Sequence, residues 1–321
     1  MATNQTNSMA KFVSNLWQNS SMIVVYVVMF AVCAIFVPYF LTGRNMIGLG
    51  LSVTTIGMVA ATMLFALGAG DVDLSVGSTV AFTGILTAKL LNVTGNVFLS
   101  VLGGIIAGAL VGLVNGIFIA KFKMNPLITT LATMQIVRGL GLIVSNAVAI
   151  GITIPAFFKI GNNAIWGIPV PILLTILIMV VFGVLLNNTA YGRNVLAIGG
   201  NKEAARLSGV NVDLTKIVIF TLQGLVAGFG GVVLASRMTS GQPNAALGFE
   251  LDVISACVLG GVSLSGGIGT MSGVIVGVLI MGTVQNVLNL LNVPTFYQYV
   301  VRGTILLIAI LLDQLKQRKK A

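Results

Sequence analysis

Amide side chains inside long apolar runs are the residues of this sequence best placed to act on a solute. An amide in hydrocarbon is costly, so such residues usually face a cavity, a partner or a water path. We therefore take five amides as candidates for a translocation path: Asn115, Gln135, Gln223, Gln285 and Asn286.

Six charged residues also fall within or beside apolar runs. Arg138 and Arg302 lie inside predicted helices. Four carboxylates flank two predicted helix starts, namely Asp71, Asp73, Glu250 and Asp252. A carboxylate near a helix N-terminus is stabilised by the helix dipole, so capping is one interpretation. The alternative is that these carboxylates line a path or pair with the two arginines. No carboxylate lies in the middle of a predicted helix, which counts against a proton-driven carrier.

The residues of enzyme chemistry are scarce. The sequence has no histidine, and Cys33 and Cys257 both lie in apolar runs, so we expect no metal site and no disulfide. "GGVSLSGGIGTMSG" is rich in glycine but lacks the lysine of a phosphate-binding loop. We therefore expect no catalytic residue and no cofactor, and any ATP hydrolysis must take place on another subunit.

The elements that must position these residues are membrane helices. The chain is 57% hydrophobic and 7% charged, whereas soluble domains carry about 25% charged residues. Its apolar runs reach the length of about 20 residues that a bilayer helix needs and do not alternate as barrel strands do. We predict an all-α polytopic membrane protein with ten helices, at about 22–41, 47–69, 75–92, 96–120, 126–146, 168–188, 216–236, 253–264, 270–291 and 296–313. The eighth is short for a span.

The net charge of +10 predicts the orientation. With the N-terminus in the cytoplasm, ten basic residues fall in inside segments and four in outside segments, the asymmetry of the positive-inside rule. The outside four are Arg44, Lys89, Lys159 and Arg237. No basic face is left for nucleic acid. We divide the chain into a cytoplasmic segment 1–21, one membrane domain 22–313 and a basic cytoplasmic tail 314–321.

Two regions of the chain resemble each other. "GDVDLSVGS" opens the third helix and "GFELDVISA" the eighth, and glycines spaced by four recur in the fourth and ninth helices. "QIVRG" in the fifth helix matches "QYVVRG" in the tenth. Helices 2–5 and 7–10 therefore form a predicted repeat, inverted because the offset of five helices is odd. We expect the glycine rows mainly to pack helices closely, with lining of a path as the alternative.

The polar segment "GNKEAARLSG" interrupts the apolar pattern on the predicted cytoplasmic side. Asn201 is a suitable N-cap and Gly209 a suitable C-terminal stop, so a short helix is predicted between them. Ala204, Ala205 and Leu207 would pack on the protein. An ordinary connecting loop is one interpretation, and a docking element for a cytoplasmic partner is the other.

At this segment the sequence resembles a known family. "EAARLSG" fits the E-A-A-x-x-x-G loop of ABC-importer permeases, although the Leu-Pro that often follows is absent. "DVDLSVGS", "LITTLATMQIVRG", "SRMTSGQP" and "VISACVLGGVSLSGGIG" extend the resemblance to nearly the whole chain. The chain resembles the sugar permeases of the ribose, arabinose, xylose and galactoside type. Within that family the strings are most similar to the L-arabinose permeases.

The resemblance implies a multi-pass protein of the bacterial inner membrane that works as a homodimer with a cytoplasmic ABC ATPase subunit and a periplasmic sugar-binding protein. It implies that the loop at about 189–215 couples to the ATPase through Glu203, Ala204, Ala205 and Gly209, next to the N-cap Asn201. L-arabinose is the expected sugar. The alternatives are another pentose or hexose (ribose, xylose or galactose), a secondary sugar carrier, or a membrane subunit that transports nothing.

Overall fold

A computed structural model describes residues 22–318. The predicted all-α membrane fold is confirmed: between these residues, eight helices are long and apolar enough to cross a bilayer. The segment 1–21, predicted to be cytoplasmic, and the last residues of the predicted basic tail, 319–321, lie outside the described residues.

The long helices carry most of the described chain. They are α2 and α3 together (Gly43–Ser52 and Thr54–Gly68), α4 (Val76–Thr94), α5 (Val97–Ala120), α6 (Pro126–Ser145), α8 (Val170–Asn188), α11 (Val212–Met238), α13 (Met271–Leu290) and α14 (Thr295–Arg318). Helices suit this composition because a bilayer offers backbone groups no other hydrogen-bond partners.

Shorter elements connect the long helices. The short helices are α1 (Met22–Phe36), α7 (Pro155–Asn162), α9 (Ala190–Gly200), α10 (Lys202–Leu207) and α12 (Phe249–Leu259). Strand β1 (Ile150–Gly151) pairs antiparallel with β4 (Ser240–Gly241), and β2 (Ala164–Ile165) with β3 (Ile168–Pro169).

Five of the predicted helices have an end misplaced by four or five residues, and the sequence explains two of these differences. The seventh begins at Val212 rather than 216, and the tenth ends at Arg318 rather than 313. The first helix ends at Phe36 rather than 41, because the residue before Pro38 is disfavoured in the α conformation. The second begins four residues early, at Gly43, and is interrupted at Val53. The eighth spans Phe249–Leu259 rather than 253–264. It ends there because Gly260 and Gly261 follow and Gly261 has φ +85°.

Helices α3 and α11 form the centre of the fold. Every residue of α3 is buried, and α3 packs against α8, α11, α12 and α13. Helix α11 packs against α3, α4 and α5. By contrast, α6 and α14 bury only a minor share of their residues, so their faces are open to lipid or to another subunit.

The glycine rows bring helix backbones into contact, as expected. A side chain at Gly112 of α5 would overlap the carbonyl of Phe220 in α11. At Gly277 of α13 it would overlap the carbonyl of Ala256 in α12. Packing therefore accounts for both rows.

The loops gather at two ends of the molecule as the charge pattern predicted. At one end, the Gly267 amide donates to the Gly68 carbonyl at 2.9 Å, and Lys123 pairs with Asp213. These contacts join four segments predicted to be cytoplasmic. At the other end, β1 pairs with β4, and Asn92 donates to the Gly151 carbonyl at 2.8 Å.

The packing of the two halves corresponds element by element. Helix α4 packs on α5 and α6, and α12 packs on α13 and α14. The first helix of each half packs on the other half: α3 packs on α12 and α13 of the second half, and α11 packs on α4 and α5 of the first. This exchange of partners is the pattern that a repeat of helices 2–5 and 7–10 predicts.

Candidate functional site

A buried polar network joins three helices of the first half. Asp73 accepts hydrogen bonds from the amide and hydroxyl of Ser75, at 2.8 and 2.6 Å, just before α4. Asn115 of α5 donates to the Ser75 hydroxyl at 3.0 Å and accepts from Thr133 of α6 at 2.6 Å. Burial raises the pKa of the Asp73 carboxyl to about 6, against the lowering effect of the bonds from Ser75. The amide of Asn115 is thus engaged on both sides by the protein.

An ionic network joins the corresponding helices of the second half. Asp252 of α12 accepts from the Arg302 guanidinium of α14 at 3.0 Å and from the Gln285 amide of α13 at 3.4 Å. The Asp252 side chain is 7% exposed and that of Arg302 24%. Asp252 thus pairs with an arginine, and it also lies in the first turn of α12, where the helix dipole stabilises a carboxylate.

Asp71 has a different partner from those considered on the sequence. The Lys216 ammonium of α11 lies 2.7 Å from the Asp71 carboxylate, and both side chains are nearly buried. Sequence analysis did not select Lys216 as a site residue. The signal was present, because Lys216 is a charged residue at the start of the predicted helix 216–236, which is mostly apolar. The pair ties the segment before α4 to the start of α11.

Arg138 binds backbone rather than a carboxylate. Its guanidinium donates to the carbonyls of Pro243 and Ala245 at 3.0 and 2.8 Å, and to that of Ala246 at 3.4 Å. Arg138 therefore holds the loop that enters α12. Glu250, in the first turn of α12, lies against Gly77 at the start of α4. The two predicted helix starts meet at this contact.

The five candidate amides do not form one group. Asn115 and Gln285 belong to the two networks above. Asn286 exchanges hydrogen bonds of 2.8 and 3.0 Å with Asn45. Gln223 is fully buried, and neither of its amide atoms has a partner in the described structure. Gln135 lies on the exposed face of α6.

The segment 201–210 forms the predicted short helix, α10. The Asn201 side chain accepts from the Ala204 amide at 2.9 Å, which confirms the N-cap. Gly209 has φ +87°, and its amide donates to the Arg206 carbonyl while that of Val210 donates to the Ala205 carbonyl. This pair of bonds is a Schellman motif, so the predicted stop at Gly209 is confirmed.

The buried face of α10 is narrower than predicted. Ala205 is buried, but Ala204 is exposed and Leu207 is 82% exposed. The expectation that all three pack on the protein was wrong, because only every third or fourth residue of a helix this short can face the core. The exposed face carries Leu207 beside the ion pair of Glu203 and Arg206, at 3.0 Å. A surface of this kind suits a protein partner.

The comparisons with known proteins bear on the whole chain. Residues 45–310 match the family model described as branched-chain amino acid transport system / permease component. The chain is 57% identical over 305 residues to the L-arabinose transport system permease protein AraH of Escherichia coli strain K12, covering 95% of this chain and 93% of the relative.

Further relatives support the same relationship. The L-arabinose ABC transporter permease protein AraH of Azospirillum brasilense is 54% identical, covering 95% of this chain and 91% of the relative. The ribose import permease protein RbsC of Bacillus subtilis strain 168 is 43% identical over 87% of each chain. No solved structure shows a significant match. Because the family model covers most of the chain and these relatives match it almost end to end, the chain belongs to the permease component family of membrane transport systems.

Proposed function

We propose that this protein is the membrane-spanning permease subunit of an ATP-driven importer that moves L-arabinose across the bacterial inner membrane. The observation that carries the proposal is the near full-length identity of 57% to a permease named for L-arabinose transport. The membrane helices would carry such a subunit across the bilayer, and the buried polar networks provide polar groups inside it.

The relatives favour a sugar over an amino acid as the substrate. The family description names branched-chain amino acids, whereas the individual relatives that match most of the chain are named for L-arabinose and ribose. Identity is higher to the L-arabinose permeases than to the ribose permease, 57% and 54% against 43%. Ribose, xylose and galactose are therefore the competing substrates to test.

Helix α10 is the element through which we expect an ATPase subunit to act. It lies on the predicted cytoplasmic side, between α9 and α11, and so joins the two halves of the repeat. Ala205 fixes it to the core, while Glu203, Arg206 and Leu207 remain free for a partner. Movement of α10 would be passed to α11 and, through Lys216 and Asp71, to the segment before α4. Such movement could rock one half against the other and alternate access to the path.

We expect the opposite end to receive a sugar-binding protein and the exposed helices to meet a second copy. The β2–β3 hairpin presents Trp166, 97% exposed, at that end. Helices α6 and α14 expose broad apolar faces, which suits pairing of two permeases. The assembly we propose is a homodimer of this permease, with a two-domain ATPase at the cytoplasmic end and a sugar-binding protein at the periplasmic end.

Uptake of labelled sugars by cells tests the identity of the substrate. A strain deleted for its own pentose importers would express this permease with its neighbouring ATPase and binding protein. We expect saturable uptake of L-arabinose that stops when ATP is depleted and survives collapse of the proton gradient. Preferred uptake of ribose, xylose or galactose would show that the substrate is that sugar rather than L-arabinose. Uptake that depends on the proton gradient would overturn the ATP-driven mechanism in favour of a secondary carrier.

Substitutions in α10 test the coupling. Glu203→Lys reverses a charge on the exposed face, and Gly209→Val puts a β-branched residue at a φ of +87°. We expect both to abolish ATP-driven uptake while the protein still inserts in the membrane. Gly200→Ala is the control, because a Cβ there meets no atom within 4 Å and the backbone is not left-handed. Normal uptake by the Gly209 variant would remove the coupling role from α10.

A further inference from the structure

A cavity of about 230 Å³ lies between α12 and α14. Asp252, Ser255, Tyr299 and Arg302 supply its polar lining, and Leu251 and Leu306 contribute apolar wall. Two of these residues belong to the ionic network of the second half. The volume is sufficient for a monosaccharide, which is a smaller ligand than those held in pockets of about 300 Å³ and above.

Arg302 retains hydrogen-bonding capacity that the protein does not use. Its Nη1 donates to Asp252 at 3.0 Å, but its Nε is buried and has no partner in the described structure. A guanidinium has five N–H donors in a fixed plane. The buried Nε itself cannot reach a ligand, but the Arg302 side chain is 24% exposed and lines the cavity, so the terminal N–H groups of the guanidinium are the donors that a ligand oxygen could meet.

The remaining lining matches a ligand that has both a hydroxyl edge and an apolar face. The Tyr299 ring lies 6.0 Å from the Arg302 guanidinium and is half exposed beside the cavity. Leu251 and Leu306 give the cavity an apolar wall. Asp252 and Arg302 neutralise each other, so the cavity presents hydrogen-bonding groups without net charge. This combination favours a neutral polyol over an ion.

The cavity lies where a solute entering from the outer side would meet it. Arg302 stands seven residues after the start of α14, which is about 10 Å along the axis at 1.5 Å per residue. Helix α14 begins at the end of the molecule that is predicted to face the periplasm. The site is therefore within the membrane and nearer to the outer surface.

The corresponding polar groups of the first half are occupied by the protein. Its arginine, Arg138, is engaged by three backbone carbonyls, and its amide, Asn115, is engaged by Ser75 and Thr133. The two halves share a packing plan, but in the second half the charged network borders a cavity.

We propose that the cavity between α12 and α14 is a sugar-binding site of the permease itself, in which Arg302 and Asp252 bind hydroxyl groups and Tyr299 packs against the sugar ring. The proposal rests on the proposed sugar transport. It adds an intermediate binding site within the membrane, which the sugar would occupy after it leaves the binding protein and before it reaches the cytoplasm.

Binding of L-arabinose to the full-length permease alone is the direct test. Saturation-transfer NMR on the permease in nanodiscs, without ATPase or binding protein, would be recorded at millimolar L-arabinose. We expect a saturable signal from the wild type and a loss of at least tenfold in affinity for Arg302→Gln, Asp252→Asn and Tyr299→Ala. The controls Tyr297→Ala and Thr304→Val alter the same helix outside the cavity lining and should bind as the wild type does.

A charge exchange separates binding from a purely structural ion pair. If the pair only holds α12 to α14, Asp252→Arg combined with Arg302→Asp should restore both thermal stability and sugar binding. We expect the exchange to restore stability toward the wild-type value and leave binding lost, because the hydroxyl partners are then displaced.

The outcomes distinguish this proposal from the transport proposal. A wild type that imports L-arabinose with its partners while Arg302→Gln binds and imports normally would overturn the site and leave the transport function standing. A wild type with no saturable signal would also overturn the site. If the wild type and its partners fail to import L-arabinose in cells, it is the transport proposal that fails.

Discussion

Each buried charge of this protein is neutralised or hydrogen-bonded in its own way. Asp71 pairs with Lys216, Asp252 pairs with Arg302, and Asp73 accepts bonds from Ser75. These solutions share a physical reason, since a charge removed from water must find a partner within the protein. They also differ in consequence, because the pair of Asp252 and Arg302 borders a cavity.

The buried pair of Asp71 and Lys216 gives a stability prediction. Asp71→Ala leaves the Lys216 charge buried without a partner, which should destabilise the protein by about 3 to 5 kcal/mol. Asp71→Asn combined with Lys216→Met removes both charges and should recover most of that loss. Thermal unfolding in detergent measures both. The exposed pair of Lys123 and Asp213 is the control, and Lys123→Ala should change the midpoint little. Equal effects of Asp71→Ala and Lys123→Ala would contradict the assignment.

Helices of this protein are positioned by small residues as much as by large ones. The glycine row of α5 allows its backbone to lie against that of α11, and the row of α13 does the same against α12. Close backbone approach is the usual way for membrane helices to associate, because lipid provides no hydrophobic driving force between them. The rows therefore set the distance between the elements that carry the polar networks.

The close contact at Gly112 predicts an unusual cost for a single methyl group. In Gly112→Ala the added carbon would overlap the Phe220 carbonyl, so α5 and α11 must move apart. We expect a loss of about 1 to 3 kcal/mol, the range for overpacking. Gly139→Ala, in α6, meets no atom within 4 Å and should be neutral or stabilising by about 0.5 to 1 kcal/mol. A midpoint of thermal unfolding unchanged in Gly112→Ala would show that the helices tolerate separation.

The whole molecule has two ends of different character. The end with α10 carries the ion pairs of Lys123 and of Glu203, whereas the other carries the short strands and Trp166. The charge count assigns the first end to the cytoplasm.

Cysteine labelling tests this orientation. Cys33→Ser and Cys257→Ala give a background without thiols, since the sequence has two cysteines. Trp166→Cys, at an exposed hairpin tip, should react with an impermeant maleimide in spheroplasts. Lys202→Cys, at the exposed start of α10, should react only in inverted vesicles. The reverse pattern would place α10 outside and remove the basis for its contact with an ATPase.

The sequence alone determined the properties that depend on local pattern. Apolar length predicted the long helices, and Asn201 and Gly209 predicted the ends of α10, because caps and hydrophobic runs act over a few residues. The lysine and arginine counts predict an orientation that the cysteine labelling would test. It also contained the strings that resemble sugar permeases. The faces of α10 were only partly predictable, since Leu207 is exposed although it is apolar.

Tertiary structure alone decided which distant residues meet. Nothing local indicates that Asp71 finds Lys216 rather than an arginine, that Arg138 binds carbonyls, or that a cavity opens beside Arg302. Such pairings join residues far apart in the chain, and they are fixed by helix packing at the glycine contacts. The sequence thus supplied the chemical groups, and the packing of two similar halves decided which of those groups remained available for a ligand.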